Sequence, residues 1–150
     1  MRKKIILVDS DVISHFMAAN KIDDLTRILD PHIVMIVDQV YRESSHHPFL
    51  EERKDELDSW MRRCHVQVIS IPDNNWKTKV EYARLKKENP RLGAGERECM
   101  AIARYGGEVI ASSNFRDVAN YCDLYGIEYI GFMDILCIAV KKKNIFRGSM

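Results

Sequence analysis

Twenty-two of the 150 residues are acidic. Four of them, Asp9, Glu43, Glu96 and Asp117, stand where a carboxylate could do chemistry rather than solvate a surface. Asp9 directly follows the apolar run Ile5-Ile6-Leu7-Val8, the pattern of a strand buried on both faces, so it falls at the carboxyl end of that strand. An Asp capping a surface turn would look the same at this one position. Glu96 heads a helix whose apolar stripe includes Cys99, Met100 and Ala103. Residues three, four and seven apart share a helix face, which puts Glu96 on the buried side and Glu98, two residues on, on the solvated side. The macrodipole also favours an acid at a helix start, by ~0.3–1 kcal/mol, but does not explain its place on the core face. Glu43 lies three residues after Val40 and shares its apolar face. Asp117 follows Ala111 through Ser112-Ser113-Asn114, and either caps the next helix or faces the same cleft.

Several carboxylates in one cleft repel each other, and some take up protons unless a cation neutralises them. Oxygen-rich clusters suit Mg²⁺ or Mn²⁺. Such ions activate water at neutral pH and clamp the oxygens of a phosphodiester. Hydrolysis of a phosphate ester is therefore the chemistry these residue types would serve.

The elements that must position them alternate. Strands are expected at 4–8, 33–37, 66–71, 108–111 and 127–130, each an apolar run bounded by turn residues or Pro. Between them the pattern predicts a helix capped by Ser10-Asp11 and running to Phe16, and helices over 23–29, 39–43, 49–63, 75–88, 96–105, 114–125 and 134–143. Pro48 stands at the start of the fourth of these, Leu50, Leu57 and Met61 are its apolar positions, and Gly107 and Gly126 close two others. Strand–helix alternation implies an α/β fold with a largely parallel sheet, in which ligands bind beyond the carboxyl ends of the strands. No repeat or linker divides the chain, so one domain over 1–150 is expected.

Bulk properties narrow the field. Net charge is +1, which leaves nucleic-acid binding to local patches or bound metal. No run of 18 apolar residues exists, and the apolar stretch before Asp9 is too short for an export signal, so a cytoplasmic protein is expected. Cys64, Cys99, Cys122 and Cys137 form no CxxC pair and read as free thiols. His46 and His47 are adjacent and would point about 100° apart on a helix, a poor metal pair. The lysines of 77–87 read as a solvated face. Lys141 to Lys143 with Arg147 either contact phosphates or complement a helix C-terminus. Trp60 and Trp76 could stack on bases, but a large aromatic on an amphipathic helix is more often core or interface.

The four acidic segments together resemble the PIN-domain family. Ile6-Leu7-Val8-Asp9-Ser10-Asp11 resembles its first acidic motif and Val40-Tyr41-Arg42-Glu43 its second, a helix-borne Glu. Gly95-Glu96-Arg97-Glu98-Cys99 resembles the helix start carrying the third acid, and Val109 to Asp117 the fourth motif. The order and spacing of all four carry the resemblance. It implies a Rossmann-like three-layer sandwich and Mg²⁺- or Mn²⁺-dependent cleavage of single-stranded RNA. By the same resemblance Asp9, Glu43, Glu96 and Asp117 are catalytic metal ligands, and Asp11, Ser112 and Asn114 are further candidates. Position 11 more often holds Asn in the family, and position 114 more often Asp. Many small members are toxins held inactive by an antitoxin protein, and others are solitary nucleases. The resemblance leaves a homodimer open and implies no membrane partner.

Two rivals are weighed beside it. A PIN scaffold could bind RNA or protein without catalysis. Asp9-Ser10-Asp11 also matches the DxD start of haloacid-dehalogenase-type phosphatases, but no paired acids follow Asn114 to complete that motif.

Overall fold

The computed structural model describes residues 2–46 and 52–148. Strand β1 (Ile5–Val8) leads into α1 (Ser10–Ala18) and α2 (Ile22–Leu29), then β2 (Ile33–Val37), α3 (Asp38–Ser45) and α4 (Glu52–Arg63). β3 (Gln67–Ile69), α5 (Trp76–Glu88) and α6 (Ala94–Gly106) follow. The chain ends with β4 (Val109–Ala111), α7 (Phe115–Tyr125), β5 (Tyr129–Ile130) and α8 (Phe132–Gly148). The strands form one sheet in the order β3-β2-β1-β4-β5, parallel throughout and flanked by the helices. This is the expected α/β architecture.

Burial explains the uninterrupted apolar strands. Leu7, Val8, Ile36, Val37, Ile110 and Ala111 are all at most 1% exposed. Each fully buried aliphatic side chain of this kind contributes roughly 1.5–3 kcal/mol. Ile6 stands level with Val34 on one side and Val109 on the other, so β1 is the central strand. From β1 the chain builds outward through β2 to β3, then returns to the opposite flank of β1 as β4 and β5. The direction of winding reverses between β1 and β4, which opens a crevice at their carboxyl ends. There the backbone N–H of Asp9 donates to Ala111 O at 2.9 Å.

Element bounds differ from the expected ones at their ends. β3 pairs over three residues rather than six, because it is an edge strand with only β2 beside it. Several helices run a residue or more beyond the apolar periodicity that announced them. The expected start of α4 at Pro48 and Phe49, and its apolar position Leu50, lie outside the described residues, as does His47. The α1 cap is a correction: neither Ser10 nor Asp11 caps the helix. Asp9 does, its side chain accepting from Ser10 N. Gly107 and Gly126 take the left-handed conformation that closes α6 and α7, at φ 80° and 66°.

Two ionic contacts fix the helical layers. Glu81 on α5, 3% exposed, pairs with Arg84 and with Arg104 on α6, and accepts from the Tyr121 hydroxyl on α7. Burial alone would raise its pKa, yet the hydrogen bonds from Arg84, Tyr121 and Arg104 hold it down at about 2. Lys142 on α8 donates to the carbonyls of Arg27 and Asp30 at the end of α2, at 2.9 and 2.7 Å. Expected to end its own helix, the lysine run instead lies within α8, which continues to Gly148, and the C-terminus that Lys142 complements is that of α2; the Arg147 side chain lies outside the described residues. Trp60 is wholly buried and Trp76 is 75% exposed. Among the described residues no helix is long and apolar enough to cross a membrane.

Candidate metal centre

Asp9 is carried to the carboxyl end of the central strand and is 1% exposed. Both its oxygens are held: Oδ1 accepts Ser10 N–H at 2.8 Å and Oδ2 accepts the Ser112 hydroxyl at 3.1 Å. Ser112 follows β4 directly, and its Oγ also accepts the Asn114 N–H at 3.1 Å. Asn114 in turn donates its side-chain amide to Glu96 Oε2 at 2.9 Å. The segment after β4 thus orients one acid from β1 and one from α6.

Asp9, Asp11 and Glu96 each place a carboxylate oxygen within 4.8 Å of the others. Asp9 is buried, Glu96 half-buried and Asp11 exposed, so the cluster opens to solvent on one side. Burial, then repulsion from Glu96 and Asp11, pushes the Asp9 carboxyl up to about 7, against the opposing pull of the Ser10 and Ser112 hydrogen bonds. Glu96 is raised as well, first by burial and then by Asp11, Asp117 and Glu43, while its bond from Asn114 lowers it. Carboxylates kept this close need a proton or a cation between them.

The donor set fits a hard divalent cation. In an octahedral Mg²⁺ shell with ligands at 2.0–2.1 Å, opposite oxygens lie about 4.2 Å apart, comparable to the spread here. All three groups offer oxygen alone, with no sulfur or imidazole among them.

Glu43 is placed differently. Its side chain is exposed, with Oε1 accepting Gly95 N–H at 2.9 Å and Oε2 the Ser10 hydroxyl at 3.1 Å. It therefore ties α3 to the first turns of α6 and α1, beside the cluster. Gly95 has no room for a side chain: a Cβ there would meet Val40 Cγ2 at 2.8 Å and the two Glu43 oxygens at 3.1 and 3.3 Å. Asp117 lies in the first turn of α7, half-buried, and its charge raises Glu96.

Glu98 is a correction. Expected on the solvated side of α6, it is 6% exposed and accepts the Gln39 N–H at the start of α3, at 2.9 Å. The single-stripe argument fails because α6 is covered on more than one side, packing against α3, α5 and α7. Asp11, Ser112, Asn114 and Asp117 are the site groups that residue patterns alone left undecided. No sequence signal separates Asp11 from Asp9, since either could cap α1; the turn geometry gives the cap to Asp9 and leaves Asp11 in the cluster.

Over residues 5–149 the sequence matches the family model described as PIN domain. The fold is similar to that of a chain in the crystal structure of VapBC2 from Rickettsia felis bound to a DNA fragment from their promoter. The TM-score is 0.62 and the identity 12%, covering 85% of this chain and 98% of that one. A likeness at that identity is one of fold. A search of the curated proteins finds no match.

Proposed function

The chain belongs to the PIN-domain family, and from that premise we propose that it is a metal-dependent ribonuclease. It hydrolyses phosphodiester bonds in single-stranded RNA with Mg²⁺ or Mn²⁺, as one cytoplasmic domain over residues 1–150. The observation that carries this reading is the convergence of Asp9, Asp11 and Glu96 at the switch point of the sheet.

Asp9, Asp11 and Glu96 would hold the ion, with Glu43 and Asp117 completing the acidic set. A divalent ion in such a site supplies positive charge against the phosphate and brings the pKa of water towards neutrality. The chain's own contribution is preorganisation. Ser10 N–H and the Ser112 hydroxyl fix the Asp9 carboxylate, and Asn114 fixes Glu96. These partners set ligand orientation before the ion arrives, and loss of such groups typically costs about 10–100-fold in metal affinity or activity. Glu43 sets how closely the first turns of α1 and α6 approach, and so the spacing between Asp9 and Glu96.

We further propose that the protein is the toxin of a toxin–antitoxin pair, inhibited by a partner protein. The fold likeness to a VapBC2 chain supports this role. Expression alone is then expected to arrest growth, and the Asp9→Asn form to be harmless. The DxD phosphatase reading has no support from the family match.

Analysis of the product ends tests the chemistry. Hydrolysis with expulsion of the ribose 3′ oxygen leaves a 5′-phosphate and a 3′-hydroxyl, and Asp9→Asn and Glu96→Gln abolish both. A 2′,3′-cyclic phosphate would mean attack by the neighbouring 2′-hydroxyl and would exclude this mechanism. RNA bound but left intact with Mn²⁺ present would identify a silent scaffold instead.

A further inference from the structure

A cavity of about 280 Å³ opens between α5 and α7, over α6. Asp117, whose charge acts on Glu96, stands at the end nearest the carboxylate cluster. From there Asn120, Tyr121 and Leu124 follow at the i+3, i+4 and i+7 spacing of one face of α7, a run of about 10 Å at 1.5 Å per residue. Leu85 on α5 and Met100 on α6 make a buried apolar floor, and Met100 lies one turn beyond Glu96. The cavity therefore runs away from the metal centre along the two helices that carry Glu96 and Asp117. Its walls are held before any ligand arrives, because Glu81 ties Arg84 of α5 to Arg104 of α6 and Tyr121 of α7.

The chemistry of the lining decides what fits. Arg84 gives its guanidinium to Glu81 and Glu88, so no cation lining the cavity is left to take a phosphate, while Glu88 and Asp117 repel an anion. What remains is amide and apolar surface. The side chains of Asn89, half-buried at the end of α5, and Asn120, exposed on α7, make no hydrogen bond among the described residues. Each carries N–H donors and a carbonyl acceptor side by side. Leu124 is 72% exposed at the rim, an apolar side chain that a flat ring would cover. We propose that this cavity takes one unpaired base of the RNA, from a nucleotide next to the scissile phosphate, and so sets a base preference at the cut. The proposal rests on the RNA reading of the metal centre. The ring lies against Leu124 over the Leu85–Met100 floor, and its edge meets the Asn89 and Asn120 amides. A base edge with adjacent donor and acceptor matches an asparagine amide at two points, which is how such amides distinguish bases. The volume falls below the roughly 300–1,000 Å³ of pockets for drug-sized ligands and suits one ring system. A base already paired in a duplex cannot present that edge, so the cavity selects single strands.

The test compares oligoadenylate, oligocytidylate and oligouridylate nonamers with an abasic nonamer of the same backbone. Fluorescence anisotropy reads their binding to the full-length Asp9→Asn chain with Mg²⁺, and the parent chain is assayed for cleavage in parallel. At least one homopolymer should bind roughly tenfold tighter than the abasic strand. Asn120→Ala and Leu124→Ala, added singly to that chain at exposed positions, should each erase most of this advantage with the circular dichroism spectrum unchanged. Equal binding of all the strands, or of none, would overturn the proposal. So would an advantage that survives either substitution. Cleavage by the parent alongside either result would leave the nuclease reading standing without the pocket. Base-dependent binding lost in both variants, beside a parent that cuts nothing, would support the pocket and refute the nuclease.

Discussion

Replacing Asp9 by asparagine removes the carboxyl whose protonation this fold displaces most strongly upward, and the consequence for stability can be worked through. The carboxyl moves from 3.8 to about 7 on folding, and the side chain is 1% exposed, so solvent screening is slight. The folded protein holds this proton more tightly than the unfolded chain. Between those two pH values the folded state therefore carries the extra proton, and stability falls as pH rises. The contribution is complete below pH 3.8 and gone above about 7. A gap of about three pH units at 1.36 kcal/mol each gives an upper bound of about 4 kcal/mol. The asparagine of the Asp9→Asn variant never ionises and keeps an oxygen for Ser10 N–H, but sets an amide donor where Oδ2 had accepted the Ser112 hydroxyl, which loses its acceptor. That mismatch costs about 1 kcal/mol. In EDTA the variant should thus be about 1 kcal/mol less stable than the parent near pH 4 and up to ~3 kcal/mol more stable at pH 8. For a chain of this length the latter is roughly 6–12 °C in Tm. Thermal unfolding followed by circular dichroism from pH 4 to 8.5 measures the crossing directly. Two parallel curves, separated by a constant offset, would show that Asp9 ionises as readily folded as unfolded and would remove the electrostatic case for a cation.

Cleavage should vanish in EDTA and return with Mg²⁺ or Mn²⁺, and calorimetry in buffers of different ionisation enthalpy should show up to one proton released per ion bound near pH 6, as Asp9 gives up its proton. Activity undiminished by chelator would refute the metal. Glu98→Ala should cost about 1–3 kcal/mol by orphaning the Gln39 N–H, whereas Glu98→Gln keeps an acceptor and should cost little in urea titrations. Gly95→Ala must displace Val40 and the Glu43 carboxylate, an overpacking worth about 1–3 kcal/mol, and should lower kcat more than KM by moving α6 relative to α3.

Sequence reasoning reached the sheet because its signal is unusually direct. Strands buried on both faces are written as apolar runs, and the rule that ligands gather at their carboxyl ends picked out Asp9 among 22 acids. Glu98 defeated it. Periodicity reports which side of a helix is apolar, and α6 also buries a carboxylate whose partner is a backbone N–H contributed by α3. Such a pairing leaves no trace in the spacing of apolar residues. The division of labour between Asp9 and Asp11 was hidden for a related reason. Either residue type can cap a helix, and only the turn geometry decides that Asp9 does so. Glu43 was legible as an acid on the site side of α3, but its bonds to Gly95 and Ser10 depend on the fit between three helices.

The bond from Ser112 to Asp9 joins residues 103 positions apart. β1 can pair with β2 after some thirty residues of chain, but its other flank stays open until β4 arrives. A chain emerging from the ribosome therefore carries Asp9 and Glu96 before it owns the segment after β4 that orients both, and contacts of such long range as Ser112 to Asp9 form late. Winding the sheet so that β4 closes the second flank of the central strand leaves the Asp9 carboxylate without its Ser112 partner until the segment after β4 has been made.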